Sequence, residues 1–236
     1  MSKAVLITGG SKRIGKAIAK YLVTKKYKII IHYNTSANSA NKLKDELSKN
    51  TECQTLKLNL NQYKKANTLI KKALNIFPDL DLLINNASLF KEQSFLNTSI
   101  DLFDKHININ LKSPFFLTQE FAKQVNSGNI INILDQKITD TSTKYFSYLL
   151  SKKSLADLTL MLSRELAPKI RVNGICPGLI LPPDNKNDKY LNNLAKKIPL
   201  KKKGTINNII QTIDFILKND YLTGDLFFID GGQHLK

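Results

Sequence analysis

The sequence contains few cysteines, few arginines and no long apolar segment. Its 236 residues include two cysteines, Cys53 and Cys176. Two are too few for a disulfide framework and indicate a reducing, cytoplasmic environment. No apolar run approaches the roughly 20 residues that a membrane span requires. The first residues already form a strand-like pattern, so we expect no secretory leader and no membrane association.

The positive charge of the chain comes almost entirely from lysine. Its 36 basic residues exceed its 19 acidic residues and give a formal charge of +17, but only three of the basic residues are arginines. Nucleic-acid recognition favours the planar arginine fork, and charge without a groove-binding motif indicates it only weakly. The 24 asparagines and 26 isoleucines suggest A- and T-rich coding instead. We therefore expect no nucleic-acid partner and keep a basic nucleic-acid-binding protein as a less favoured alternative.

Short apolar runs alternate with amphipathic segments along the whole chain. Such runs, separated by helices, are typical of a parallel sheet covered on both faces. We predict an α/β fold: a single Rossmann-like domain over residues 1–236, with a doubly wound parallel sheet of about seven strands and helices on both faces. The predicted strands are Lys3–Thr8, Lys28–Tyr33, Gln54–Leu60, Asp81–Asn85, Asn129–Leu134, Ile170–Cys176 and Leu226–Ile229. The predicted helices are Ile14–Lys25, Asn38–Lys49, Tyr63–Ile76, Ile100–Asn126, Thr143–Ala167 and Thr205–Lys218.

The segment 177–204 is too long to be a simple connection between two elements. Segments of this length inside a compact domain are usually lids or binding loops. We therefore predict a substrate-binding loop within the domain.

A glycine-rich turn, Thr8–Gly15, joins the first strand to the first helix. Glycines there allow close approach of a pyrophosphate, which then lies on the helix N-terminus. The turn lacks the usual G-x-G-x-x-G spacing, and many structural turns are glycine-rich, but its position favours dinucleotide binding. No acid that would hold the ribose of NAD follows the second strand, where Asn34, Thr35 and Ser36 stand. With Lys12 in the turn, this favours NADPH, although Lys12 also fits a merely solvated lysine.

A tyrosine and a lysine four residues apart, Tyr148 and Lys152, lie on one face of a predicted helix. A phenol has a pKa of roughly 10, and a neighbouring ammonium group lowers it. The spacing alone arises by chance in many helices. Here the helix follows the fifth strand, at the edge where a doubly wound sheet binds ligands.

The ordered set of motifs resembles the short-chain dehydrogenase/reductase family over nearly the whole chain. The matching segments are Thr8–Gly15, Asn85-Asn86-Ala87, Asn110, Tyr148 with Lys152, Arg171-Val172-Asn173 and Pro177-Gly178. The resemblance implies that Tyr148 donates a proton, that Lys152 binds the nicotinamide ribose and lowers the pKa of Tyr148, and that Asn110 holds a water of the proton relay. The cofactor contacts that it implies are Gly9, Ser11, Lys12, Arg13, Ile14, Gly15, Asn34, Thr35, Ser36, Asn59, Leu60, Asn86, Ala87, Ser88, Tyr148, Lys152, Pro177 and Gly178.

Two positions depart from the usual pattern of that family. Arg13 stands where glycine is usual, and Asp135, thirteen residues before Tyr148, stands where serine is usual. An ionised carboxylate cannot donate a hydrogen bond to a ketone oxygen, so Asp135 argues against a simple ketone substrate. Both departures resemble the pteridine reductases and the bacterial dihydromonapterin reductases, as do Asn86–Phe90, Asn110–Phe115 and the ending Leu222–Lys236.

This closer resemblance implies NADPH-dependent reduction of a dihydropterin, dihydromonapterin or dihydrofolate, with Phe90 stacked on the pterin. Asp135 would accept from ring N–H groups or act with Tyr148, and Arg13 and Ser88 would contact the substrate. Alternatives stay open, since Phe90 also fits a core residue and Asp135 a capping or surface residue. Lys201–Lys203 fits a solvated run better than a guide for a folate carboxylate.

Two further departures and one alternative concern the cofactor and the substrate. Thr35 stands where several pteridine reductases have an arginine for the 2′-phosphate, and Asn59 replaces a usual aspartate whose role its amide oxygen could fill. A carbonyl reductase of the same family, acting for example on 3-oxoacyl chains, is the principal alternative. The resemblance also implies a homo-oligomer, in most members a tetramer, with the two long helices in the interfaces. No metal site is predicted.

Overall fold

Seven strands form one sheet in the computed structural model, which describes residues 3–183 and 186–235. All neighbouring strands are parallel, in the order β3-β2-β1-β4-β5-β6-β7. The predicted doubly wound fold is therefore confirmed. Residues 1, 2 and 236 of the predicted domain, and residues 184 and 185 of the predicted loop, lie outside the described residues. The strands are β1 Lys3–Ile7, β2 Tyr27–Tyr33, β3 Cys53–Lys57, β4 Leu80–Asn85, β5 Gly128–Ile133, β6 Ile170–Pro177 and β7 Leu226–Ile229.

Amphipathic helices cover both faces of the sheet. Its five central strands are mostly buried, whereas the edge strands β3 and β7 are largely half-buried or exposed. Apolar residues of α1, α2 and α8 pack on one face, and those of α3, α5 and α6 pack on the other. Within the described residues, no helix is long and apolar enough to cross a membrane. The helices are α1 Arg13–Thr24, α2 Ala37–Leu47, α3 Ala66–Ile76, α4 Ile100–Ile107, α5 Ser113–Gln124, α6 Phe146–Glu165, α7 Asp188–Ala195 and α8 Ile206–Lys218.

The prediction of one long helix over Ile100–Asn126 is wrong at its centre. A π-helical turn, Asn108–Lys112, separates α4 from α5. Pro114 follows at the start of α5. Proline has no N–H to donate to the carbonyl four residues earlier, and its ring clashes with that carbonyl, which here belongs to Asn110. The widened turn thus lies at Asn110, a residue that the sequence implicates in the site.

The segment 177–204 is also more ordered than a loop. It contains α7, whose N-terminus is capped by Asn187: the Asn187 side-chain oxygen accepts from the Tyr190 N–H at 3.2 Å. Leu191 and Ala195 are buried on one side of this short helix. Five of its eight residues are exposed, so the apolar period is too weak to reveal α7 in the sequence.

A buried histidine in β2 supports the glycine turn. The Gly9 N–H donates to His32 Nδ1 at 3.1 Å, and His32 Nε2 lies 3.0 Å from the Leu58 carbonyl oxygen. The two contacts require a neutral ring that accepts at Nδ1 and donates from Nε2. Burial lowers the pKa of His32 to about 4. A protonated ring would place an N–H against the Gly9 N–H.

We predict that His32 makes the protein less stable in mild acid. Its pKa lies below the ordinary value of 6.5, so the unfolded chain takes up this proton first. The contribution of neutral His32 to the free energy of unfolding is therefore fully present above pH 6.5. It is lost as the pH falls toward 4, by about 3 kcal/mol in all. Urea unfolding of the wild type and His32→Gln between about pH 7 and about pH 4 measures it. A difference between them that does not vary with pH would contradict the prediction.

Candidate active site

The carboxyl ends of β1 and β4 are joined by hydrogen bonds around the glycine turn. Thr8 Oγ1 accepts from the backbone N–H groups of Asn86 and Ala87, both at 3.0 Å. The Asn86 amide donates to the carbonyl oxygens of Thr8 and Gly9, at 2.9 and 3.1 Å. Gly15 packs so closely that a Cβ there would lie 2.4 Å from the Gly9 oxygen. Asn86, which the sequence predicts as a cofactor contact, therefore holds the glycine turn in place.

The N-terminus of α1 faces this crevice with its N–H groups available. No side chain of the described residues caps this helix, and its first turn carries no acid. Ser11 is buried beside it and Lys12 is exposed. Orphan N–H groups at a helix N-terminus bind phosphate oxygens, and a nearby cation strengthens the binding. The residues predicted for the pyrophosphate thus fit it, with the backbone of Ile14 and Gly15 as donors.

Arg13 has a backbone conformation that glycine adopts far more easily. Its φ of +52° is in the left-handed region, where a side chain costs roughly 1 kcal/mol. This agrees with the usual glycine at the position. The side chain crosses to the 177–204 segment, where Nη2 donates to the Pro182 carbonyl oxygen at 2.7 Å. Arg13 therefore joins the cofactor turn to the predicted substrate segment.

The residues predicted to contact the adenosine half of the cofactor differ in exposure and in hydrogen bonding. Asn34 and Thr35 are exposed after β2, and Ser36 precedes α2 without capping it. Asn59 Oδ1 accepts from the Asn61 N–H at 3.0 Å, which leaves one lone pair for a ligand. Leu60 lies in the apolar core, and its carbonyl oxygen accepts from Ser113.

The Tyr148 hydroxyl donates to Asp135 Oδ2 at 2.6 Å. The other oxygen, Oδ1, accepts from the Lys137 N–H at 2.8 Å and so caps the short 3₁₀ turn Gln136–Thr139. The capping role that the sequence left open is therefore real, and the same carboxylate also holds the tyrosine. Each oxygen keeps a further lone pair for a ligand donor.

Burial sets the protonation of the tyrosine and the lysine. Burial, and then the Asp135 carboxylate, raise the pKa of Tyr148 well above its ordinary value. Burial lowers the pKa of Lys152 to about 8. The expected lowering of the Tyr148 pKa by Lys152 is therefore not seen in the ligand-free protein. Lys152 instead donates to the Ile133 carbonyl oxygen at 2.7 Å. The Tyr148 phenol is consequently protonated at neutral pH.

Asn110 uses its whole side chain to hold the strand-to-helix segment in place. Its amide donates to the Leu89 carbonyl oxygen and Ser151 Oγ, both at 3.0 Å. Its oxygen accepts from the Leu89 N–H at 2.8 Å and from Ser88 Oγ at 3.2 Å. Because these four bonds saturate the amide, the structure assigns the side chain a positioning role. The water-holding role stays a prediction.

Comparison with known proteins agrees with this geometry. The family model described as short chain dehydrogenase matches residues 3–192. The chain belongs to the short-chain dehydrogenase family.

Relatives in this family carry two kinds of name. The 3-oxoacyl-(acyl-carrier-protein) reductase FabG of Staphylococcus epidermidis is 29% identical, with both chains fully covered. The dihydromonapterin reductase of Escherichia coli is 27% identical over 98% of this chain and 97% of that protein. The solved FolM alternative dihydrofolate reductase 1 of Brucella suis, in complex with NADP, is 32% identical over 99% of this chain and 96% of the other, with a TM-score of 0.94.

Three aromatic rings, those of Phe90, Tyr145 and Tyr148, form a wall beside the Tyr148 hydroxyl. Phe90 is 46% exposed, so it is not a core residue. It meets the Tyr148 ring edge-on and stacks on Tyr145, with ring centres 4.8 Å apart in both cases. The Tyr145 hydroxyl donates to Glu92 at 3.2 Å. Sequence reasoning missed Tyr145, although its position three residues before Tyr148 could have placed both on one side of the helix start.

Of the last two matching motifs, Pro177-Gly178 lies at the edge of the site and Arg171-Val172-Asn173 lies away from it. Gly178 follows β6 at the site edge, and a Cβ there would lie 2.6 Å from Cβ of Asp230, so only glycine fits. Arg171 lies away from the site and donates to the carbonyl oxygens of Leu222 and Ile216, at 2.6 and 3.0 Å. Asn173 likewise donates to the Leu222 oxygen at 3.2 Å. That motif therefore fastens the chain before β7.

Proposed function

We propose that this short-chain dehydrogenase reduces a dihydropterin, dihydromonapterin or dihydrofolate, to its tetrahydro form with NADPH. The observation that carries the proposal is the hydrogen bond from the Tyr148 hydroxyl to Asp135. It combines a proton donor with an acceptor for ring N–H groups at one place. The relatives named for dihydromonapterin and dihydrofolate reduction support it. The test is NADPH oxidation with a panel of dihydropterins, dihydrofolate, a 3-oxoacyl thioester and simple ketones.

The residues of this chain provide binding, orientation and a proton. Reduction of the C=N bond adds a hydride, which NADPH supplies when bound, to C6 and a proton to N5. Tyr148 remains protonated at neutral pH because its pKa is raised, and its hydroxyl is the proton source for N5. Asp135 accepts from the N–H groups at the edge of the pterin. The exposed face of Phe90 stacks on the flat ring, and Ser88 and Arg13 complete the substrate contacts.

Reduction of a 3-oxoacyl chain is the second candidate, favoured by the full-length relatives of that name. A ketone oxygen needs donors, and the residue at position 135 of this chain offers a carboxylate. The wall of Phe90 and Tyr145 suits a flat ring better than a flexible acyl chain.

We also propose a homo-oligomer, a tetramer in its complete form. The segment before α4 and the first residues of α4 and α6 expose an apolar patch that a second copy would cover: Phe95, Leu96, Ile100, Phe103 and Phe146. A monomer in sedimentation equilibrium would refute this.

The free, buried Cys53 and Cys176 suit a reducing cytoplasm. The partner we propose is a small molecule rather than nucleic acid, because the Tyr148–Asp135 pair lies among buried side chains at the carboxyl edge of the sheet.

Replacing Tyr148 with phenylalanine should abolish most turnover and leave NADPH binding intact. The substitution removes the proton donor but keeps the ring that packs on Phe90, so we expect kcat to fall roughly 10²–10⁴-fold. Steady-state kinetics and NADPH fluorescence titration measure the two effects. Tyr221→Phe, at a tyrosine that is 97% exposed, is the matched control. Near-normal turnover of Tyr148→Phe would show that another group supplies the proton.

Replacing Asp135 with serine should separate pterin reduction from ketone reduction. Serine can still cap the 3₁₀ turn, so the fold is retained while the carboxylate is lost. We expect dihydropterin reduction to fall roughly 10²–10⁴-fold, the scale of a positioned acid–base group. Activity on small ketones should stay equal or rise. Asp135→Asn keeps the shape and tests the charge alone. Unchanged dihydropterin reduction by Asp135→Ser would remove Asp135 from the mechanism.

NADPH should bind more tightly than NADH, and Lys12 should contribute to the difference. Lys12 is exposed beside the uncapped α1 N-terminus, and residues 34–36 carry no acid to repel a 2′-phosphate. Lys12→Ala should weaken NADPH binding by about 1 kcal/mol or more, the loss of a charge-assisted bond, and should weaken NADH binding less. Dissociation constants at fixed salt decide this. Equal affinity of the wild type for both cofactors would contradict it.

A further inference from the structure

A fully buried histidine, His106 in the last turn of α4, lies beside the Tyr148 ring. Its Nδ1 lies 2.8 Å from Ser147 Oγ. Its ring meets the Tyr148 ring edge-on, with ring centres 6.1 Å apart. Its Nε2 makes no hydrogen bond to a described residue. The polar contact that orients this ring is therefore made with the residue that precedes Tyr148.

The contact with Ser147 is one of two hydrogen bonds of the same kind between neighbouring helices. One turn after the histidine, the Asn110 amide donates to Ser151 Oγ at 3.0 Å. All four side chains are buried. The bonds form two rungs, because positions 106 and 110 share a face of one helix and positions 147 and 151 share a face of α6. Tyr148 directly follows the first rung, and Lys152 directly follows the second.

The start of α6 has few other anchors. Within the described residues, no side chain caps this helix. A backbone bond from its first N–H to the Gln93 carbonyl oxygen, at 3.1 Å, ties it to the segment after β4. Asp135 holds the Tyr148 side chain at its hydroxyl. The bond between His106 and Ser147 thus fixes the backbone end of the tyrosine, as Asp135 fixes the hydroxyl end.

The charge and the contacts of His106 give it no direct part in proton transfer. Burial, and then Lys91, lower its pKa below the ordinary value of 6.5, so the ring is neutral at neutral pH. Neither ring nitrogen is bonded to the Tyr148 hydroxyl, whose partner is Asp135. What His106 can change is where the phenol lies, and not the number of protons in the site.

We infer that His106 is a positioning residue for Tyr148: its bond to Ser147 holds the first turn of α6 where the phenol can protonate the substrate. The inference rests on the proposed role of Tyr148 as proton donor, and not on which dihydropterin is reduced. A misplacement of about 1 Å can reduce a rate roughly 100-fold. Loss of this rung should therefore lower kcat and leave the binding of NADPH and substrate nearly unchanged.

The experiment compares two amides at position 106. The asparagine amide ends near the place of Nδ1 and can still bond Ser147, whereas the longer glutamine side chain carries its amide past that place. With NADPH and the dihydropterin that the wild type reduces best, we expect kcat of His106→Gln to fall roughly 10- to 100-fold. His106→Asn should recover most of the wild-type kcat. KM and the Kd of NADPH should change less than about twofold in both variants.

Two further variants test the bond from its other side and control for stability. Ser147→Ala deletes one oxygen atom, should lower kcat like His106→Gln, and carries the test if the latter does not fold. The double variant should lose no more than either single one, because both remove one bond. The matched control is Thr159→Val, about three turns beyond Tyr148 in the same helix. It removes a buried bond of 2.9 Å from the Asn132 amide, so it should lower the stability in urea and leave kcat unchanged.

The solvent isotope effect on kcat separates position from stability. A misplaced phenol slows the proton step, so His106→Gln should show a larger isotope effect than the wild type. A smaller folded fraction would instead lower kcat and leave the isotope effect unchanged. The stoichiometry of NADPH binding measures that fraction independently.

Three results would overturn the inference. Wild-type kcat in both His106→Gln and Ser147→Ala would show that the rung does not position the phenol. Equal losses in His106→Asn and His106→Gln, or an unchanged isotope effect, would mean that the histidine only stabilises the fold. In these cases Tyr148→Phe would still be inactive, and the proposed function would stand. Normal turnover of Tyr148→Phe would refute the proposed proton donor and this inference with it.

Discussion

The arrangement of the site depends on one short hydrogen bond, from the Tyr148 hydroxyl to Asp135 at 2.6 Å. It is made by the side chain of a tyrosine that is 4% exposed, so water does not compete for it and an unmade bond would be costly. The bond keeps the phenol protonated and directs its proton at the carboxylate. The same carboxylate ends the turn after β5 by capping it. The Asp135 side chain therefore both caps the 3₁₀ turn and accepts the hydrogen bond of Tyr148.

The parallel sheet brings together groups that are distant in the sequence. Because the strands run in one direction, the glycine turn after β1, the Asn86 segment after β4, Asp135 after β5 and Gly178 after β6 meet at one edge. Two polar residues then fasten the neighbouring segments: Asn110 holds residues 88 and 89, and His32 holds Gly9. Both side chains are buried and hydrogen-bonded, which keeps the crevice preorganised.

The lysine excess acquires a spatial pattern only in the folded protein. Most lysines are on exposed helix faces, in ion pairs such as Lys3 with Asp81 or simply in solvent. Such exposed pairs contribute little stability. Among the described residues, five lysines also place the ammonium group over an aromatic ring: Lys25, Lys28, Lys112, Lys137 and Lys186.

The sequence alone predicted what depends on neighbours along the chain. The alternation of apolar runs and amphipathic segments predicted the parallel sheet, the glycine turn predicted the phosphate crevice, and the four-residue spacing placed Tyr148 and Lys152 on one face. Local pattern also revealed the unusual Arg13 and Asp135, and the structure shows that Arg13 has the φ of a glycine position.

Tertiary contacts decided the rest. The pKa of Tyr148 rises and does not fall, because burial and Asp135 outweigh a lysine that is turned to the Ile133 oxygen. The π turn follows from the clash of Pro114 with the turn before it, within a segment whose apolar period predicts one helix. Glu92 and Lys137 reach Tyr145 from separate segments. Desolvation and contact between remote segments exist only in the folded chain, so no period or spacing in the sequence could have predicted them.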